Sequence, residues 1–176
     1  ALLPADSLCE WKNAMRYFVK RLSLKDKRRL VFKSPTHTAH IKTLLELYPQ
    51  ARFIHIVRSP SEVFASTDKL WRSLFGVYGL RAYDTKLLES MILKSFDQMY
   101  AAFDRDRPLI QPDRIFDMRY EDLVLDPVAC VNEAYQFLGL GKFMPQQTEI
   151  DRKVSEIKQH HPKVSGFVYC AIFSDA

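Results

Sequence analysis

Phe53-Ile54-His55-Ile56-Val57-Arg58-Ser59-Pro60-Ser61-Glu62 decides the fold. The run from Phe53 to Val57 is β-branched and aromatic around one histidine, the composition of a buried strand. It stops at Arg58. Ser59 then reads as an N-cap, Pro60 as the first helical residue, and Glu62 as the residue that closes a capping box. A strand that passes through one cation directly into a helix start is half of a βα unit. The helix is expected to bury Val63, Phe64, Leu70, Trp71, Leu74 and Phe75, and to end at Gly76 or Gly79.

The same arrangement occurs upstream. Leu30-Val31-Phe32 reads as a strand ending at Lys33, and Ser34-Pro35 breaks it, because a residue before proline avoids the helical region. A helix is expected from about Thr36 to Tyr48, with Ile41, Leu44, Leu45 and Tyr48 on one face. A first helix runs from Ser7, with Glu10 as its capping-box partner, to about Leu24. Downstream, Asp84–Phe103 reads as a long amphipathic helix, 105–113 as a loop and Ile115–Tyr120 as a third strand. Asp126-Pro127 opens a helix that ends near Gly139, and Gln146–Gln159 forms one polar helix.

The order α-β-α-β-α-α-β-α predicts an α/β fold: a parallel sheet with right-handed crossovers, flanked by helices. Such sheets bind ligands at the carboxyl ends of their strands. Lys33 and Arg58 both stand there, each followed by Ser-Pro and a helix start. A fixed cation beside helix-start amides suits an anion. Arg58 is a planar fork for phosphate or sulfate, and Lys33 is a point charge that reaches a ligand oxygen. Ser66 lies on the polar helix face with Glu62, Lys69 and Ser73, and spacing alone does not nominate it.

The chain has 176 residues, enough for one ordinary domain, and 47% of them are hydrophobic. That composition excludes collagen, a disordered tail and a disulfide miniprotein. The net charge of +5 is concentrated in residues 11–42, which hold ten basic side chains and only Asp26 as an acid. Lys12, Arg16, Lys20 and Arg21 alternate at helical spacing with Trp11, Met15, Phe18, Val19 and Leu22, so they read as a solvated face. No basic-aromatic interleaving or recognition motif accompanies them, and no nucleic-acid partner is expected. No apolar run is long enough to span a membrane, and no secretory signal is visible. Cys9, Cys130 and Cys170 match neither a zinc nor a Cys-x-x-Cys spacing and read as free thiols, which points to a reducing, cytoplasmic compartment. No metal centre is expected. Neither Gly-x-x-x-x-Gly-Lys nor Gly-x-Gly-x-x-Gly occurs.

Leu30-Val31-Phe32-Lys33-Ser34-Pro35-Thr36-His37, followed by Leu44-Leu45-Glu46-Leu47-Tyr48-Pro49-Gln50-Ala51-Arg52-Phe53, resembles the core of the sulfotransferases. These enzymes have a nucleotide-triphosphate-hydrolase-like fold and use 3′-phosphoadenosine 5′-phosphosulfate (PAPS) as sulfuryl donor. Val57-Arg58-Ser59-Pro60-Ser61-Glu62-Val63-Phe64-Ala65-Ser66 resembles the family's 3′-phosphate motif, an arginine with a serine eight residues later. Arg119-Tyr120-Glu121-Asp122-Leu123, Asp126-Pro127 and Phe137-Leu138-Gly139-Leu140 resemble its later segments. The similarity covers about residues 28–140 and is to the Lys-Ser-Pro branch.

The resemblance implies that Arg58 and Ser66 hold the donor's 3′-phosphate. It implies that Tyr120 lies near the adenine and that Lys33 stabilises charge on the bridging oxygen as the bond breaks. The proton acceptor is expected at His37 or His40, because the position two residues after the lysine is Pro35. The family's first strand and its phosphosulfate loop have no counterpart in residues 1–29. The expected organisation is therefore one incomplete domain over 1–176, with an N-terminal helix and basic turn at 1–27, a core at 28–140 and a tail at 141–176. The acceptor is a small molecule, carbohydrate or protein; a Golgi lumen location would need an upstream anchor. The competing expectation is a non-catalytic α/β module that binds an anionic nucleotide or another anionic partner.

Overall fold

The computed structural model describes residues 4–25, 27–79, 84–143, 152 and 170–174. Helix α1 covers Ala5–Lys25, and strand β1 covers Leu30–Ser34. Helix α2 is Ile41–Leu47, β2 is Arg52–Val57, and α3 is Pro60–Tyr78. Helix α4 is Thr85–Asp106, β3 is Ile115–Arg119, α5 is Tyr120–Leu125 and α6 is Pro127–Phe137; β4 is Cys170–Ser174. The sheet order is β1-β4-β2-β3. Strands β2 and β3 pair in parallel, with Phe53 opposite Ile115 and Val57 opposite Arg119.

Helices cover both faces of the sheet, as expected for an α/β fold. On one face Phe53 and Ile115 pack with Ile41, Leu44 and Phe103, which brings in α2 and α4. On the other, Ile54 and Met118 pack with Ala134, Leu138 and Leu140, around α6 and its end. Strand alternation makes this division: odd positions of β2 face α4 and even positions face α6. Phe53, Ile41 and Leu44 are fully buried.

Several elements depart from expectation. Strand β4 lies in the stretch read as a tail, and it runs antiparallel to both β1 and β2, so the sheet is parallel only among β1, β2 and β3. Helix α1 begins before Ser7, which leaves Ser7 inside the helix rather than at its cap. The helix expected over Thr36–Tyr48 divides at His40 into a 3-10 turn, Pro35–Ala39, and α2. The loop after α4 contains two further 3-10 turns, and Tyr120 opens α5 instead of ending β3. Glu121 and Asp122 lie in the first turn of α5, where the helix dipole favours acids. The helix expected over Gln146–Gln159 lies outside the described residues.

Other boundaries follow their sequence signals. Asp84 caps α4 by accepting from the Lys86 amide at 2.8 Å, and Asp126 caps α6 through the Ala129 amide at 2.9 Å. Gly139 has φ 58°, the left-handed conformation that ends helices. Around it, the amides of Gly139 and Leu140 donate to the carbonyls of Gln136 and Tyr135, at 3.2 and 2.9 Å. This closes α6 and turns the buried Leu140 back onto the core. Among the described residues no helix is long and apolar enough to cross a membrane.

Candidate functional site

Arg58 and Tyr120 are each the first residue past paired strand ends, since Val57 lies opposite Arg119. The parallel register therefore brings them together. The Arg58 guanidinium carbon sits 4.3 Å from the centre of the Tyr120 ring, a cation–π stack. The ring covers one face of the guanidinium. Arg58 stands two residues before α3, a 19-residue helix whose first turn is its positive end.

The expected capping box is absent. Ser59 accepts through its backbone carbonyl from the Glu62 and Val63 amides, and its hydroxyl pairs with Ser61. Glu62 instead takes the Arg58 Nε–H at 2.8 Å. A charged donor outcompetes a neutral amide for the same carboxylate. The Arg58 side chain is 14% exposed but Glu62 is 54% exposed, so solvent at the carboxylate end weakens the pair. Ser66 lies one helical turn beyond Glu62 on the same face of α3.

Lys33 is not beside Arg58. Through Ala171 of β4 it is level with Ile54. It thus stands about 13 Å short of Arg58 along the strands and about 10 Å across the sheet. The two cations therefore mark separate points of the sheet.

His37 is buried in the 3-10 turn at 8% exposure. His40, at the break before α2, lines a cavity of about 1360 Å³. Its ring lies 6.0 Å from that of Trp11, and burial lowers its pKa, which keeps the imidazole neutral near pH 7. The cavity runs between the turn at Pro35 and the facing sides of α3 and α4. Of the α3 stripe expected to be buried only Val63 is; Thr67, outside that stripe, is buried as well, and Trp71 is 41% exposed along this cavity.

A second polar cluster was not anticipated. His55 and Asp117 are register partners on β2 and β3, and His55 Nδ1 lies 2.7 Å from Asp117 Oδ1. Asp117 also accepts a bidentate contact from Arg107. The His55 ring packs at 4.2 Å on Phe103, and its Nε2 is buried without a partner. Burial lowers the His55 pKa, against the opposing pull of Asp117. Burial would raise Asp117, but hydrogen bonds from Arg107 and His55 outweigh it and hold the carboxyl low. This cluster ties the two strands that carry Arg58 and Tyr120 to the end of α4. A polar residue in each of two apolar strands was the available signal, but only register reveals that they meet.

The sign of the pH effect follows. Both groups have native pKa values below their unfolded ones, so the unfolded chain takes up protons first as pH falls. Stability is expected to be full above about pH 6.5 and to decline below it through His55, then further below about pH 3.8 through Asp117. Melting temperatures at pH 7 and pH 5 check this: they should fall in the wild type and fall less in His55→Phe. Equal falls in the two would remove His55 from the account.

Among the described residues no group of histidine, cysteine, aspartate and glutamate could hold a metal ion. A family model described as the sulfotransferase family matches residues 4–144. The omega-hydroxy-beta-dihydromenaquinone-9 sulfotransferases Stf3 of Mycobacterium bovis and Mycobacterium tuberculosis are each 38% identical over 133 residues, which is 76% of this chain and 34% of theirs. Carbohydrate sulfotransferase 5 of Mus musculus is 31% identical over 109 residues, covering 56% of this chain and 27% of its own. The chain thus spans about a third of the length of these curated relatives. No solved structure matches it.

Proposed function

The chain belongs to the sulfotransferase family, and from that premise we propose that it forms part of a site that transfers a sulfuryl group from PAPS to a hydroxyl or amine. The observation that carries this reading is Arg58, held by the Tyr120 ring where β2 meets α3. Arg58 and Ser66 bind the 3′-phosphate, and the adenine lies toward Tyr120. Lys33 stands at the phosphosulfate end. In the reaction the acceptor oxygen or nitrogen bonds to sulfur while the bond from sulfur to the bridging phosphate oxygen breaks. The electron pair leaves on that oxygen, where Lys33 stabilises it, and adenosine 3′,5′-bisphosphate departs. The acceptor proton goes to a histidine of the segment after Lys33. Pro35 occupies the position two residues after the lysine, so the candidates are His37 and His40; His40 lines the cavity as a neutral imidazole, and this supports His40 as the base.

The test compares adenosine 3′,5′-bisphosphate with adenosine 5′-monophosphate, which lacks only the 3′-phosphate. Calorimetric titration should give at least tenfold tighter binding of the bisphosphate, since hydrogen bonds to a charged group contribute about 1.5–3 kcal/mol. Equal affinities would refute a 3′-phosphate site.

A further inference from the structure

Helix α1 docks on the rest of the protein by one side. Trp11 packs against the core cluster around Phe53, Val19 is buried, and Lys12 pairs with Glu46 of α2. The Phe18 ring lies at the edge of this side, 6.4 Å from that of Phe32. The opposite side faces water, and there the helical period sets three rows next to one another. Arg16 and Lys20 form one row and Arg21 and Lys25 another, the members of each row one turn apart and all four exposed. Tyr17 and Leu24, two turns apart, run between them and are 62% and 79% exposed. From Trp11 to Lys25 the sequence has no acid, and between Lys12 and Arg29 eight basic side chains meet only Asp26.

The contacts these cations make are local and neutral. Arg16 donates to Asn13 Oδ1 at 3.4 Å, and Arg21 donates to the Tyr17 hydroxyl at 2.9 Å with its guanidinium carbon 5.6 Å from the ring centre. Among the described residues none of the four pairs with a carboxylate. Like charges one turn apart destabilise a helix, and α1 keeps two such pairs uncompensated. Water solvates the cations but not Leu24. A nucleic-acid backbone neutralises the cations but presents nothing aliphatic to Leu24. An anionic bilayer suits the whole face. Its headgroups meet both cationic rows, Leu24 enters the acyl boundary, and the Tyr17 ring lies at headgroup level with its hydroxyl and Arg21 outward.

We propose that this face of α1 docks on the surface of a bilayer that contains anionic lipid, with the helix lying in the plane of the interface. The proposal goes beyond the sulfuryl-transfer reading and does not depend on it.

The experiment sediments the 176-residue chain with phosphatidylcholine vesicles, made with and without phosphatidylserine. Binding should be strong only where phosphatidylserine is present. Each cation at an anionic surface contributes a factor of about five, so the double variant Lys20→Ala, Lys25→Ala should weaken partition about 30-fold. Leu24→Ser should weaken it about tenfold. A second double variant, Lys86→Ala with Lys94→Ala on α4, removes the same charge elsewhere and should bind as the wild type does. Every substituted side chain is exposed, so circular dichroism should not change; if Leu24→Ser loses helix, Tyr17→Ser repeats its test. Losses in the α1 variants with the α4 control intact support the proposal. An equal loss in the α4 control overturns it, because net charge alone then drives binding. Absence of binding, or equal binding to both kinds of vesicle, overturns it as well. So does a Leu24→Ser chain that binds as tightly as the wild type, and a DNA duplex that displaces the vesicles in that case assigns the face to nucleic acid.

Discussion

Arg58→Ala is expected to weaken adenosine 3′,5′-bisphosphate about 100-fold while the melting temperature stays close to that of the wild type. The fork supplies two parallel charge-assisted bonds to a phosphate, and such bonds contribute about 1.5–3 kcal/mol each before cooperative losses. A factor of 100 corresponds to about 2.7 kcal/mol. The alanine also leaves Glu62 facing the phosphate with no cation between them. Arg58→Lys should recover only part of the loss, because an ammonium neither forks nor stacks as a plane on Tyr120. Glu62→Gln should act in the opposite sense. It releases Arg58 from a solvated pair worth at most about 1 kcal/mol, so the bisphosphate should bind up to about fivefold tighter. Calorimetry on the four proteins decides the matter. Unchanged affinity in Arg58→Ala would move the phosphate elsewhere, and weaker binding in Glu62→Gln would make the carboxylate a ligand-side group rather than a competitor.

That strand β2 leads through Arg58 into α3 was legible because every signal for it is local. A β-branched run, a single cation and Pro60 at the first helical position need no knowledge of partners. The same holds for the Asp126 cap of α6 and for Gly139, whose positive φ closes that helix. What was not legible depends on pairing. Arg58 and Tyr120 are 62 residues apart in the chain, and only the parallel register of β2 and β3 stacks them. The capping box at Ser59 failed because Arg58 competes for Glu62, and a motif rule does not weigh a neighbour outside its window. Strand β4 escaped because its pairing with β1 and β2 is wholly non-local. In α3, periodicity correctly identified an apolar face, but periodicity does not say whether protein covers that face. Val63 and Thr67 are covered, whereas Trp71 borders the cavity.

Phe53→Ala couples the core to the site and should be the most destabilising single substitution considered for this chain. Phe53 is fully buried on β2, between β4 and β3, in the cluster with Ile41, Leu44, Phe103 and Ile115. Removing a buried phenyl ring costs about 3–5 kcal/mol, the transfer of the lost atoms plus the cavity they leave. Total domain stability is about 5–15 kcal/mol, so the variant should sit near the edge of folding. Yet Phe53 points to the α4 face of the sheet, whereas Arg58 lies beyond its carboxyl end. The binding geometry should survive in the molecules that fold. Ligand at 100 times its dissociation constant stabilises the folded state by about 2.7 kcal/mol. Adenosine 3′,5′-bisphosphate at that excess should therefore raise the unfolding free energy of Phe53→Ala, read by urea titration, as much as that of the wild type. At the same absolute concentration it should do almost nothing for Arg58→Ala. A Phe53→Ala chain that cannot be rescued would mean that the α4 side of β2 sets the position of the phosphate fork. The packed core and the anion site would then be one cooperative unit, rather than a scaffold and a site on its edge.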